Sequence, residues 1–243
     1  MASANATELY IEMVSAIKQC PSIRTATDPT SPCQVEIVEA PIGRSFALHS
    51  TEHNLVACIP VDTRRAKALV LHLFANTELA TPMAVIPEAM SSLSQVSDRY
   101  YWRGAYGPIM MPQIAKCIVL LRAHPYTRRA GVSMLDGRPH NANRPACISF
   151  LQFINQRDEL HLVATQRALR LDLMPHDCII LTEVLRYVSR AIGVPAGKLH
   201  WHVGSLHATN SSTWDTYSPD CTRNVGIHID TNTPWEDLCS LLK

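Results

Sequence analysis

Leu181, Val184, Leu185, Val188, Ala191 and Ile192 recur at the 3.6-residue period of a helix with one buried face, and Gly193 and Pro195 close the run. Asp177 stands where it can cap that helix. What flanks the helix narrows the fold further. Upstream, residues 146–154 and 159–166 are apolar, β-prone runs on either side of four polar residues, Asn155, Gln156, Arg157 and Asp158, which is the pattern of a hairpin. Downstream, residues 199–207 form another strand.

The first half carries weaker signals of the same kind. Residues 6–20 place Leu9, Ile11, Met13, Val14 and Ile17 near a helical repeat that stops at Pro21, and residues 25–32 are a turn-rich loop. Residues 33–40, 45–49 and 54–59 are short β-prone runs that suggest a small antiparallel meander. Residues 61–75, 85–96 and 112–123 read as helices, the last with Pro112 in its first turn and its end before Pro125. Residues 129–135 read as a strand, followed by a loop over 136–145. Helices and strands come in runs without strict βαβ alternation, so the expected class is α+β with a mixed or antiparallel sheet, in one domain over residues 1–243.

Composition sets limits on partners. The chain has 243 residues, is 47% hydrophobic and carries 22 basic against 21 acidic side chains, which suits one sizeable core and argues against disorder or a polyanion footprint. Any phosphate partner is therefore expected to be small, not a nucleic acid. Glu8 and Glu12 interrupt the apolar N-terminal stretch, against a signal peptide, and no run approaches a membrane span. Eight cysteines without a C-x-x-C pair suggest reduced thiols and a cytoplasmic setting.

Several chemistry-bearing residues fall at the ends of these elements: Arg128, Arg129, Cys147, Arg167, Asp177 and His207. Each has a plain reading beside a functional one. An arginine pair is usually a solvated edge, but it can also grip a phosphate bidentately. A cysteine at a strand start is more often core than nucleophile. His200 and His202 imitate a metal pair, but no third ligand accompanies them and no metal is expected. Cys147 with a basic partner such as His207 makes an enzyme candidate, and it would also suit a Cys-His hydrolase, although the papain-type signature is absent. Phosphate-cradling glycine loops are absent as well.

The ordered set resembles thymidylate synthases and the related cytidylate hydroxymethylases. His124-Pro125-Tyr126-Thr127-Arg128-Arg129 is similar to the family's D-P-x-S-R-R element. Pro145-Ala146-Cys147 through Gln152-Phe153 is similar to P-x-C-H-x-x-x-Q-F. Gln166-Arg167-Ala168 resembles Q-R-S, Pro175-His176-Asp177 resembles P-F-N, and Gly204-Ser205-Leu206-His207 resembles the G-D-x-H ending, with Tyr106-Gly107 as the upstream Y-G. The likeness covers roughly residues 100–210, and Cys147, Asp177 and His207 follow one another at intervals of thirty residues.

That resemblance implies a thymidylate synthase-like α+β fold, a homodimer across the sheet, and C5 chemistry on a pyrimidine nucleoside monophosphate with 5,10-methylenetetrahydrofolate as one-carbon donor. Cys147 would attack C6, Arg167 would stabilise the thiolate and hold the 5′-phosphate, and Arg128 and Arg129 would reach the phosphate from the other subunit. Tyr106 and Asp177 complete the implied catalytic set. Arg44, Gln166, Ala168, His207 and Thr209 complete the substrate-binding one, with His207 near the sugar.

The departures carry information about the substrate. Asp177 stands where uracil-specific members have Asn, and a carboxylate accepts from the exocyclic amine of cytosine, so cytosine is favoured. Ala168 replaces Ser and Thr209 replaces Tyr, leaving room for a ribose, so the expectation is CMP over dCMP and 5-hydroxymethylation as the reaction. Such products suit nucleoside-antibiotic biosynthesis or phage DNA modification. Other departures weaken the folate step. The segment from Gln166 to Asp177 is one residue short, and residues 67–74 contain no acid where the family has Glu, with Glu78 and Glu88 the nearby candidates. The tail over 211–243 diverges from the folate-closing C-terminus. Two alternatives follow: folate-independent C5 or C6 chemistry on a modified nucleotide, and a non-catalytic nucleotide-binding paralogue.

Overall fold

The computed structural model describes residues 3–19, 22–27, 34–49, 51–61, 66, 70, 73, 74, 106–135, 146–209 and 227. Helices α1 (Ala6–Gln19), α2 (Gly107–Ala123) and α3 (Met174–Ile192) pack on one mixed sheet. Its strands are β1 (Ser22–Thr27), β2 (Gln34–Glu39), β3 (Arg44–Leu48), β4 (Gly131–Ser133), β5 (Ile148–Gln156), β6 (Glu159–Arg170) and β7 (Ala196–Thr209). They run in the order β1-β2-β7-β6-β5-β4, with β3 also on β7. Among the described strands only β6 and β7 pair in parallel, and the crossover between them is α3, entered through a 3-10 turn at Leu171–Leu173.

The apolar stripe of α3 does what its period predicts. Cys178, Ile179, Leu181, Val184, Leu185 and Val188 are fully buried, against Leu160, Leu162 and Ala164 of β6 and Leu199, Trp201 and Val203 of β7. Each such aliphatic side chain contributes about 1.5–3 kcal/mol. Helix α3 stops at Gly193, whose left-handed φ of 73° lets its N–H return to the last turn. At the start of α1, Asn5 accepts the Glu8 N–H and Glu8 accepts the Ala4 N–H, a reciprocal cap.

Several expectations shift in register or partner. The hairpin is present, but its first strand is shifted two residues along, its second runs on to Arg170, and its loop is only Arg157-Asp158, both at positive φ. Ser22–Thr27 lies in a strand where a loop was expected from residue 25, and β2 and β3 do not pair with each other. Both lie on the same edge of β7. Glu39 opposes His207 and Arg44 opposes Val203, so five steps along one strand match four along the other, a bulge held by Ala40 N–H to Leu206 O and Gly43 N–H to Gly204 O. Residues 54–59 form no strand.

Helix α2 begins at Gly107, with a proline in its first turn, so Pro112 lies inside the helix and not at its start. Helix α3 begins at Met174 with Leu173 as its N-cap residue. Asp177 is therefore in the first turn and not the cap, a position the helix dipole still favours for an acid. The strand expected over 129–135 is confined to Gly131–Ser133. Ala66, Val70, Leu73 and Phe74 are helical, while the helix expected over 85–96 and the loop over 136–145 lie outside the described residues.

Candidate active site

Burial on β6 and β7 changes face part-way along. On the helix-facing side Leu160, Leu162, Ala164 and Gln166 are buried, then Ala168 and Arg170 are only half-buried. On β7, Leu199, Trp201 and Val203 give way in the same manner to Ser205, His207 and Thr209. Beyond this point the buried side chains are Leu169, Leu206 and Ala208 on the opposite face, and the ends of both strands leave a mostly polar floor beside the α3 N-terminus.

Cys147 sits just before β5, half-exposed, at the edge of this floor. The Arg167 N–H donates to its carbonyl at 2.9 Å, the Arg167 Nε donates to Ala146 O at 3.1 Å, and Nη2 lies 3.8 Å from the Cys147 sulfur. A guanidinium beside a thiol favours the thiolate. Strand β7 must come close here: a Cβ on Gly204 would stand 2.7 Å from the Arg167 carbonyl oxygen.

Tyr106, at the mouth of α2, is buried between these groups. Burial, then the nearby Asp177 and Cys147, push its phenol well above the ordinary range, against smaller opposite effects of the Ile148 backbone and Arg167. The hydroxyl is thus neutral at neutral pH. Cys178, next to Asp177 but fully buried, has its thiol pushed up to about 12 by burial first and by Asp177 second. Of these two cysteines, only Cys147 is placed for chemistry.

Gln166 is the hub of the buried end. Its Nε2 donates to Asp177 Oδ2 at 2.8 Å and to Ala168 O at 3.0 Å, and its Oε1 accepts from Trp201 Nε1 at 3.1 Å. Sequence reasoning missed Trp201. Its signal was present: it alternates with Val203, Ser205 and His207 on one face of β7, and a buried indole needs an acceptor.

Cys147, Arg167, Tyr106, Asp177, Gln166 and Ala168 therefore come together, with His207 and Thr209 further along the same floor. His207 Nδ1 lies 3.5 Å from Ser205 O, and Glu39, its partner across the strand pair, accepts from Ser205 Oγ at 2.9 Å. Glu39 is the second residue that the sequence alone did not single out. Arg44 is half-buried on β3 opposite Val203. Arg128 and Arg129 are exposed on the loop after α2, anchored where Gln152 Nε2 donates to Arg128 O at 2.8 Å.

Of residues 67–74, only Val70, Leu73 and Phe74 are described, all apolar. Glu78, Glu88 and the tail expected to close over a folate lie outside the described residues. Among the described residues, no group of three or more His, Cys, Asp or Glu side chains could hold a metal, and no helix is long and apolar enough to cross a membrane.

No family model and no curated protein sequence matches the chain. Among solved structures, it resembles a thermostable thymidylate synthase A from Bacillus subtilis, with a TM-score of 0.66 over 84% of this chain and 80% of that one, at 14% sequence identity. At that identity the likeness is one of backbone architecture: the chain has a thymidylate synthase-like fold.

Proposed function

We propose that this chain modifies a cytidylate at C5, with Cys147 as the nucleophile and 5-hydroxymethyl-CMP as the product. The observation that carries the reading is the Arg167 guanidinium 3.8 Å from the Cys147 sulfur, within a cleft that also holds Tyr106 and Asp177. C5 of a pyrimidine is a poor nucleophile until a thiolate adds to C6. The new Sγ–C6 bond moves the electron pair of the C5–C6 double bond to C5, where it is shared with the ring and can attack an electrophilic carbon. The C5 proton then leaves, and expulsion of Cys147 restores the double bond.

In this scheme Arg167 keeps the thiol ionised and pairs with the 5′-phosphate. Asp177 accepts from the exocyclic 4-amino group, which favours cytosine over uracil. Tyr106, neutral and buried, holds a proton close to the reacting carbons. Ala168, His207 and Thr209 face the sugar, where small side chains at 168 and 209 admit a ribose. Methylenetetrahydrofolate would supply the methylene at the oxidation level of formaldehyde. Loss of the C5 proton would expel tetrahydrofolate as its amine, and water would add to the resulting exocyclic methylene before Cys147 leaves, so no reductant is needed.

The same reading makes the protein a homodimer. Arg128 and Arg129 are exposed, and their guanidinium groups have no hydrogen-bond or ion-pair partner among the described residues, which suits a pair that reaches a phosphate in the other subunit. The sheet face away from α3 supports it as well, since Phe150, Thr165 and His202 lie exposed on β5, β6 and β7.

A second reading keeps the nucleotide and Cys147 but replaces the folate step; the lack of an acid over residues 67–74 favours it. Incubation of CMP, dCMP and UMP with and without methylenetetrahydrofolate, followed by mass analysis of the nucleotides, separates the two. A hydroxymethylated cytidylate formed only with the folate is the expected result. Turnover without folate supports the second reading, and unchanged nucleotides under every condition contradict both.

A further inference from the structure

The buried end of the cleft has a direction. Trp201 and Gln166 are 0% and 1% exposed, so neither exchanges its partners with water. An indole N–H can only donate, and its acceptor is Gln166 Oε1 at 3.1 Å. The amide is thereby fixed with its NH2 on the opposite side, where it donates to Ala168 O and to Asp177 Oδ2. Turning the amide over would set donor against donor at Trp201. It would also set the amide oxygen against a carbonyl and a carboxylate, losing three bonds at once.

The consequence lies at Asp177. Its Oδ2 receives a hydrogen from Gln166, so the ionised side chain is an acceptor, with two oxygens and capacity for several bonds. A pyrimidine with a 4-amino group offers that carboxylate a donor. One with a 4-oxo group offers a second acceptor, which a carboxylate oxygen cannot meet. The residue that sets the sense of the chain is the one that cannot reverse, Trp201.

We propose that Trp201 is a specificity-setting positioning residue: through the Gln166 amide, its indole N–H holds Asp177 as an acceptor and selects 4-amino over 4-oxo pyrimidine nucleotides. The inference rests on the cytidylate reading above, in which the base lies against Asp177. It assigns no contact between Trp201 and the substrate.

Trp201→Phe keeps an aromatic ring and removes the donor. With no N–H to hold Oε1, the amide can take either sense, and it no longer fixes Asp177 as an acceptor towards the base. Gln166→Glu reaches the same end by another route, since the indole keeps an acceptor while the donor to Asp177 is lost.

Dissociation constants for CMP and UMP are measured calorimetrically on the full chain for the wild type and both variants. The wild type is expected to prefer CMP, and the preference should fall about tenfold in each variant, the factor set by one hydrogen bond to a charged group. A purely structural role weakens both nucleotides alike and leaves the ratio unchanged, and that result overturns the proposal. Should Trp201→Phe not fold, the ratio in Gln166→Glu decides in the same way. Equal binding of CMP and UMP by the wild type overturns this inference and leaves a pyrimidine site standing, whereas binding of neither overturns the site as well.

Discussion

Arg167 Nη2 lies 3.8 Å from Cys147 Sγ, and the two backbones are tied where the Arg167 N–H donates to the Cys147 carbonyl at 2.9 Å. The side-chain contact is thus held by the strand pairing and does not depend on a flexible loop. Arg167→Ala removes the positive charge and should slow iodoacetamide alkylation of Cys147 at neutral pH several-fold, because the thiolate is the reacting form. Peptide mass mapping reads it. Cys178, buried and pushed up to about 12, should remain unlabelled in the native protein. Labelling of Cys178 ahead of Cys147 would contradict this picture of the cleft.

Gly204 tests how closely β6 and β7 must approach beside the cleft. A Cβ there would stand 2.7 Å from the Arg167 carbonyl oxygen, a backbone atom that cannot swing aside. Gly204→Ala should therefore destabilise the fold by about 1–3 kcal/mol, as overpacking does, and lower activity by displacing Arg167. Chemical denaturation gives the first number and turnover the second.

The β5–β6 hairpin turns through Arg157 and Asp158, at φ of 56° and 59°. Left-handed backbone is costly for most side chains and is tolerated by Asn. Arg157→Asn should stabilise the protein by about 1 kcal/mol, or roughly 2–4 °C in Tm for a domain of this size. Asp158 is left in place because it accepts the Tyr126 hydroxyl at 3.0 Å. A fall in Tm would contradict a left-handed backbone at Arg157.

Stability should also depend on pH through His200. Burial, then His161, Lys198 and His202, hold it below its ordinary 6.5. The folded chain therefore binds fewer protons than the unfolded one as pH falls below 6.5, so this contribution is full above that value and is lost on acidification. Thermal unfolding between neutral and mildly acidic pH should show a steeper loss for wild type than for His200→Gln. Parallel curves would contradict the assignment.

Shared sites would appear in mixing experiments. Cys147→Ser lacks the nucleophile, and the double variant Arg128→Ala with Arg129→Ala lacks the phosphate pair. If each cleft draws its arginines from the other subunit, dissociating and reassociating the two inactive proteins together restores part of the activity, since some clefts then carry both sets. No recovery would place the arginine pair and Cys147 in the same subunit, or remove the pair from the site.

Much of this architecture was legible because it is local. The α3 stripe and its glycine stop follow from helix period and cap chemistry, and the hairpin follows from a polar break between apolar runs. What failed was partner choice. Residues 33–40 and 45–49 read as neighbours in a meander, yet both take β7, because pairing at long range depends on the bulge between Glu39 and Arg44 and not on the strands themselves. Asp177 read as a cap because its residue type suits one, but the 3-10 turn at Leu171–Leu173 moves the helix start upstream and leaves its carboxylate to Gln166. In the cleft, Cys147, Arg167, Tyr106 and Asp177 were identifiable through resemblance, whereas Trp201 and Glu39 act through hydrogen bonds that only the folded sheet brings into range.

If Cys147 adds to C6 of a cytidylate, the hydrogen at C5 is loosened. Release of tritium from [5-³H]CMP into water, with methylenetetrahydrofolate present, measures that step directly. Wild-type protein should release the label and Cys147→Ser should not. Retention of the label by the wild type, or equal release by the variant, would contradict addition of Cys147 to C6.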